Sequence, residues 1–155
     1  AWARFSNLIP ESEHGDFIAA YAARLFSGDL MMETRYARAW AGWENALASI
    51  ESTGISGESP SQYARAFARL ENHYFANKLF LTPDQAILNN MDKISDVSAH
   101  IVQGRYDMIC PPQTAWRLVQ AWPKARLQMV AKAGHALSDA PISAELVKIM
   151  DALRV

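Results

Sequence analysis

The string Gly-x-Ser-x-Gly, which lifts a nucleophilic serine on a turn between strand and helix, occurs nowhere in these 155 residues. The nearest string, Gly54-Ile55-Ser56-Gly57, has the wrong spacing and no strand-like run before it. Cysteine is almost absent. Cys110 alone permits no internal disulfide, which fits a reducing, cytoplasmic compartment. No Cys/His set or His-x-x-x-His spacing is present, so no metal and no cofactor is expected. No apolar run approaches the roughly 18 residues of a membrane span. Charge of one sign is lacking too: 15 Lys and Arg face 16 Asp and Glu, a net charge of −1. That balance gives no electrostatic case for nucleic acid or an anionic membrane. The start, Ala1-Trp2-Ala3-Arg4-Phe5, lacks the basic residues and apolar core of a signal peptide. It also lacks a methionine and lies within a helical pattern, consistent with a processed, trimmed or partial polypeptide.

Half of the residues are hydrophobic and a fifth are charged, as in an ordinary globular domain with a core. Residues 1–97 read as helices. Asp16 to Phe26 repeats apolar residues at Phe17, Ala20, Tyr21 and Leu25, then stops at Ser27-Gly28-Asp29. Leu30 to Ile50 repeats at Tyr36, Trp40, Trp43, Leu47 and Ile50, close to a 3.6 period. A Gly/Ser/Pro stretch to Pro60 reads as a loop. Ser61 to Asn77 repeats at Tyr63, Phe67, Leu70 and Tyr74. Thr82-Pro83-Asp84 predicts the opening of a shorter helix running to Met91.

From Ser98 the pattern changes. Ile101-Val102 starts a short strand that breaks at Gly104-Arg105-Tyr106-Asp107. After Pro111-Pro112 a helical pattern runs through Ala115, Leu118, Val119 and Trp122. A second strand, Leu127 to Ala131, ends at Gly134-His135, and a last helix covers Ile142 to Leu153. Charge shifts at the same boundary. Residues 1–97 hold 8 basic and 12 acidic residues, net −4, and residues 98–155 hold 7 and 4, net +3. The chain therefore reads as α/β, with a mostly helical region at 1–97 and a strand-bearing segment at 98–155. Two strands make a marginal sheet by themselves. The remaining strands are expected from an absent N-terminal half or a self-association partner.

Asp107 and His135 lie 28 residues apart, about one βαβ unit, each just past a strand. Such loops sit side by side on the sheet edge where ligands collect. A carboxylate there fixes the tautomer of an imidazole and stabilises the imidazolium. The same spacing also fits a helix-capping aspartate and an unrelated histidine. Two further acids lie on apolar helix faces. Glu44 has Ala37, Trp40, Ala41, Leu47 and Ala48 around it, and Glu71 has Ala64, Phe67 and Phe75. A buried carboxylate needs a cation or a donor. Arg38, Arg65 or Arg69 could supply it internally; otherwise the pair suits a ligand amine in aromatic surroundings. His73, His14 and His100 read as structural or surface histidines, and Trp40 and Trp43 as core.

These residues resemble a known family. Gly104-Arg105-Tyr106-Asp107 with Cys110-Pro111, Ala115-Trp116, Ala121-Trp122-Pro123-Lys124-Ala125 and Gly134-His135 is similar to the C-terminal part of proline iminopeptidases. So are Ala39-Trp40 with Trp43-Glu44, and Ala68-Arg69-Leu70-Glu71-Asn72-His73-Tyr74-Phe75. The resemblance implies an α/β-hydrolase fold, here its last two parallel strands and their helices preceded by a helical cap. It implies removal of N-terminal proline from peptides. Asp107 is then the triad acid and His135 the general base. Glu44 and Glu71 bind the proline amine, and Phe75 and Cys110 lie near the proline ring.

The family's serine elbow and oxyanion-hole segment match nothing here, so this chain alone is expected to be inactive. Two rivals stand beside that reading. One is a non-catalytic truncated homologue that self-associates. The other is a different cap-bearing hydrolase, an esterase or epoxide hydrolase, whose uncharged substrate would leave Glu44 and Glu71 without a partner.

Overall fold

A computed structural model describes residues 1–48, 50 and 60–154. The loop expected before Pro60 and the Gly54-to-Gly57 string lie outside the described residues. The chain divides into two compact units, Ala1–Ala46 with Ser52–Phe80 and Leu47–Glu51 with Leu81–Val155.

The first unit is helical: α1 (Trp2–Ser6), α2 (Phe17–Leu25), α3 (Leu30–Ala48, its last two residues falling in the second unit) and α4 (Ser61–Ala76). Local chemistry sets these boundaries. The Asp16 carboxylate caps α2 by accepting from the Ala19 N–H at 3.0 Å. Gly28 then takes φ 81°, a left-handed turn that other residues adopt reluctantly. Asp29 Oδ1 accepts from the N–H groups of Met31 and Met32 at 2.8 and 3.2 Å, satisfying the first turn of α3. Phe5, Tyr21, Leu25 and Trp40 meet the small Ala37, Ala41, Ala64 and Ala68 in a close-packed core. Tyr21 is fully buried, so its hydroxyl needs a partner; it donates to the Phe5 carbonyl at 2.7 Å. Asn72 on α4, buried as well, donates to the Ile18 carbonyl on α2 at 2.9 Å.

Past α4 the backbone turns left-handed. Lys78, Leu79 and Phe80 have φ of 51°, 59° and 58°, a conformation that costs about 1–2 kcal/mol per residue without glycine. Nearby contacts offset this: Phe80 N–H donates to the Asn77 carbonyl at 2.9 Å, and its ring packs against His73 and Tyr74.

In the second unit the helix expected from Thr82 to Met91 is instead two 3₁₀ segments, Pro83–Gln85 and Ile87–Ile94. Side-chain amides compete for the backbone there. Asn89 donates to the Pro83 carbonyl at 3.0 Å, and Asn90 to those of Asp84 and Ala86 at 2.7 and 3.0 Å. The expected start holds: Thr82 and Gln85 form a capping box.

Then follow β1 (Ala99–Gly104), α5 (Pro112–Ala121), β2 (Ala125–Val130) and α6 (Ala140–Ala152). The strands run parallel, in register from Ala99 opposite Ala125 to Gly104 opposite Val130. Among the described residues the sheet has these two strands alone. Trp122, expected within the helix, lies just past it with extended backbone, and its indole N–H donates to the Val97 carbonyl at 2.9 Å. Val130, Ala133 and Ile142, with Val102 and Leu146 against them, form a small apolar centre. No described helix is long and apolar enough to cross a membrane.

Candidate active site

The parallel register puts the carboxyl ends of β1 and β2 side by side, so the chain leaving each strand crosses the same edge. The two loops are bonded to each other. Arg105 N–H donates to the Val130 carbonyl and Tyr106 N–H to the Ala133 carbonyl, both at 2.9 Å. The approach is close enough to demand glycine. A Cβ at Gly104 would stand 1.9 Å from the Gly134 carbonyl oxygen and 2.7 Å from that of Ala133. The second loop is fixed from its other side as well. Gly134 N–H donates to Asp139 Oδ2 at 2.9 Å, and His135 and Ala136 both donate backbone N–H groups to the Ala48 carbonyl, at 2.7 and 2.8 Å.

This framework brings together the acid and histidine singled out in the sequence. His135 Nδ1 lies 3.0 Å from Asp107 Oδ2. The Asp107 side chain is 6% exposed and that of His135 40%, so the acid is covered while the imidazole reaches solvent. An ionised carboxylate can only accept, so in the neutral imidazole Nδ1 carries the hydrogen and Nε2 keeps its lone pair. An imidazole oriented this way can take a proton at Nε2 from a hydroxyl. Asp107 does not cap a helix remote from the histidine, the alternative its sequence position allowed. Its other oxygen, Oδ1, accepts from the N–H groups of Ile109 and Cys110 at 3.0 and 2.7 Å.

Cys110 therefore contributes its backbone to the acid loop. Partial burial, and secondly the charge of Asp107, push its thiol pKa up, the opposite of what activates a thiol nucleophile. A residue without a sequence signature completes the loop. Gln103, buried at the end of β1, donates its amide to Asp107 Oδ2 at 3.1 Å. Its one detectable trace is a polar side chain directly after the apolar pair Ile101-Val102.

The two other acids are in the first unit. Glu71, half-buried on α4, accepts the indole N–H of Trp40 through Oε2 at 2.8 Å. Desolvation raises its pKa above the ordinary carboxylate value, and the Trp40 hydrogen bond opposes that in part. The arginines considered as its internal partners go elsewhere. Arg69 pairs with Glu33 at 3.5 Å, Arg38 donates to Ser61 at 3.0 Å and Arg65 to Thr34 at 3.4 Å. Glu44 is half-buried on α3, four residues after Trp40 and hence on the same side of the helix. Phe75 is 46% exposed, its ring centroid 6.2 Å from that of Trp40. A wide cavity of about 1050 Å³, lined by Arg4, Arg35, Arg38 and Arg65 among others, includes none of these acids. Among the described residues no three His, Cys, Asp or Glu gather as a metal site would require.

No family model matches the chain. Nearly all of it is similar to curated proline iminopeptidases. It is 45% identical over 150 residues to that of Arabidopsis thaliana, an alignment covering 95% of this chain and 40% of the relative. It is 38% identical over 153 residues to that of Xanthomonas citri, covering 97% and 49%. With that of Neisseria gonorrhoeae the figures are 41% over 150 residues, 97% and 47%. The chain thus spans less than half the length of the curated relatives it matches, in keeping with its resemblance to their C-terminal portion.

Proposed function

We propose that this chain is the C-terminal portion of a proline iminopeptidase-like serine peptidase with an α/β-hydrolase fold. Residues 1–97 would be its helical cap and connecting helix, and residues 98–155 the closing strands and helices of the hydrolase domain. The observation that carries the reading is the 3.0 Å contact of His135 Nδ1 with Asp107 Oδ2, which leaves Nε2 open at the sheet edge.

A serine supplied from outside this chain attacks the carbonyl carbon that follows an N-terminal proline. His135 Nε2 takes the serine proton and returns it to the leaving amine as the peptide bond breaks. Water then attacks the acyl-enzyme by the same route and frees proline. Asp107 holds the ring and stabilises its cation. By the resemblance, Glu44 and Glu71 take the positive charge of the prolyl nitrogen, and Phe75 and Cys110 are the residues assigned to the proline ring. Glu71 suits that role because it is half-buried beside Trp40, and Arg69, on its own helix, pairs with Glu33 instead. The strands that extend the two-stranded sheet come from an N-terminal half or from a second copy. The chemistry requires no cofactor, and the single cysteine accords with a cytoplasmic setting.

The test is a chimera in which this chain replaces the matching 150 residues of the Arabidopsis relative. The chain alone is expected to leave a proline arylamide intact, and the chimera to hydrolyse it. Asp107→Asn in the chimera should lower kcat by about 10⁴. A folded chimera without activity, or one indifferent to Asp107→Asn, overturns the reading.

A further inference from the structure

Gln103 Nε2 lies 3.1 Å from each of three acceptors: Asp107 Oδ2, the Gly104 carbonyl and the Cys110 carbonyl. The residue is 8% exposed, so water offers little alternative. The placement of the nitrogen follows from the acceptors. Turning the amide over would press its carbonyl oxygen against three other oxygens in a buried site, whereas two amide hydrogens serve all three when one is shared. With Gln103 in place, Asp107 is fully engaged. Ile109 and Cys110 N–H groups meet Oδ1, and Gln103 and His135 meet Oδ2. Those four donors fill the carboxylate's four acceptor positions.

One side chain also spans the acid loop, touching the carbonyl where it leaves β1 and the carbonyl of Cys110, just before α5. The loop's own backbone hydrogen bonds position Oδ1. Oδ2, the oxygen that the imidazole uses, is positioned by Gln103.

We propose that Gln103 is a positioning residue that aims Asp107 Oδ2 at His135 and so selects the imidazole tautomer with its hydrogen on Nδ1. This rests on the hydrolase reading for its consequence in catalysis, but its structural content stands apart and is tested on the 155-residue chain itself. In ¹⁵N NMR the side-chain NH₂ of Gln103 should exchange slowly with solvent, and His135 should show one tautomer with a pyridine-like Nε2. Gln103→Met keeps the volume and removes the donor. It should mix the two tautomers, raising the share with hydrogen on Nε2 several-fold. Gln103→Glu keeps the shape and should do the same at neutral pH.

A fast-exchanging Gln103 amide in the unmutated chain overturns the proposal without recourse to any variant. So does a folded Gln103→Met or Gln103→Glu chain with unchanged His135 signals. The chimera separates the two readings. Tautomer mixing in the variants beside an inactive chimera would sink the peptidase assignment and leave the positioning role. An active chimera whose kcat is unaltered by Gln103→Met would do the reverse. If both hold, Gln103→Met should lower kcat at least tenfold with a smaller change in KM, because the acids proposed to take the prolyl charge, Glu44 and Glu71, do not touch Gln103.

Discussion

Among the described residues, ten buried apolar side chains form one cluster in the first unit around Tyr21 and Trp40, whereas the buried cluster of the second is Val130, Ala133 and Ile142. The first unit is held by mass: aromatic rings on alanine faces, with Phe5 and Tyr21 stacked at 4.4 Å and Tyr21 and Trp40 edge to face at 5.4 Å. The second is held by placement. Its strand-end loops are tied by hydrogen bonds of 2.7–3.1 Å around Asp107, and it leaves Met108, Leu137, Val147 and Met150 exposed. Apolar burial grows with area and tolerates small shifts, while a hydrogen-bonded constellation is lost by shifts of a fraction of an ångström. The histidine–acid pair thus sits in the unit with the smaller described apolar core.

The largest expected effect breaks the first unit alone. Trp40→Ala removes a buried indole and should cost about 3–5 kcal/mol; denaturant titration followed by near-UV circular dichroism reads the loss. The same change strips Glu71 of its donor. Next, Gly104→Ala should break the second unit's site and spare the first. Its methyl meets the Gly134 carbonyl, so the His135 loop must shift, at about 1–3 kcal/mol. The His135 ¹⁵N signature should vanish while the aromatic near-UV signal persists. An unperturbed His135 in this variant would mean that the close approach is not a constraint.

Smaller again, Tyr21→Phe leaves the Phe5 carbonyl without its partner and should cost about 1–2 kcal/mol by the same denaturant measurement. The smallest effect has a sign that sharpens the contrast between packing and polarity. Glu71 has a raised pKa when folded, so the folded chain binds its proton more tightly than the unfolded one. Stability on this account falls as pH rises from the ordinary carboxylate value through the raised one. Glu71→Gln mimics the protonated form and should flatten the stability curve over that part, upward from the ordinary carboxylate value. A wild-type curve that rises there more steeply than the variant's would contradict the assigned direction.

Much of the fold was legible. Apolar residues at a helical period mark α2, α3 and α4 because a buried face selects them directly; Ser27-Gly28-Asp29 was legible as a stop, but not the capping of the next helix by the Asp29 carboxylate. The 3₁₀ segments after Pro83 were not legible as such. Nothing in the pattern says that Asn89 and Asn90 turn back on the chain rather than out to solvent. Of the candidate residues, Asp107 and His135 could be paired by spacing, since one βαβ unit fixes which loops are neighbours. Glu71 could be read as an acid on an apolar face, but not as the acceptor of an indole N–H in place of an arginine.

From the sequence alone came the helical first part, the parallel pair of strands and, as one of two readings, the acid–histidine pairing. These depend on periodicity and separation along the chain, quantities that a sequence carries. Only the tertiary structure decided that Gly104 must lack a side chain, that the arginines pass Glu71 by, and that Gln103 supplies the fourth donor to Asp107. Each of those depends on distances of about 3 Å between residues brought together by folding, where the direction of one side chain chooses among several partners that composition alone leaves equivalent.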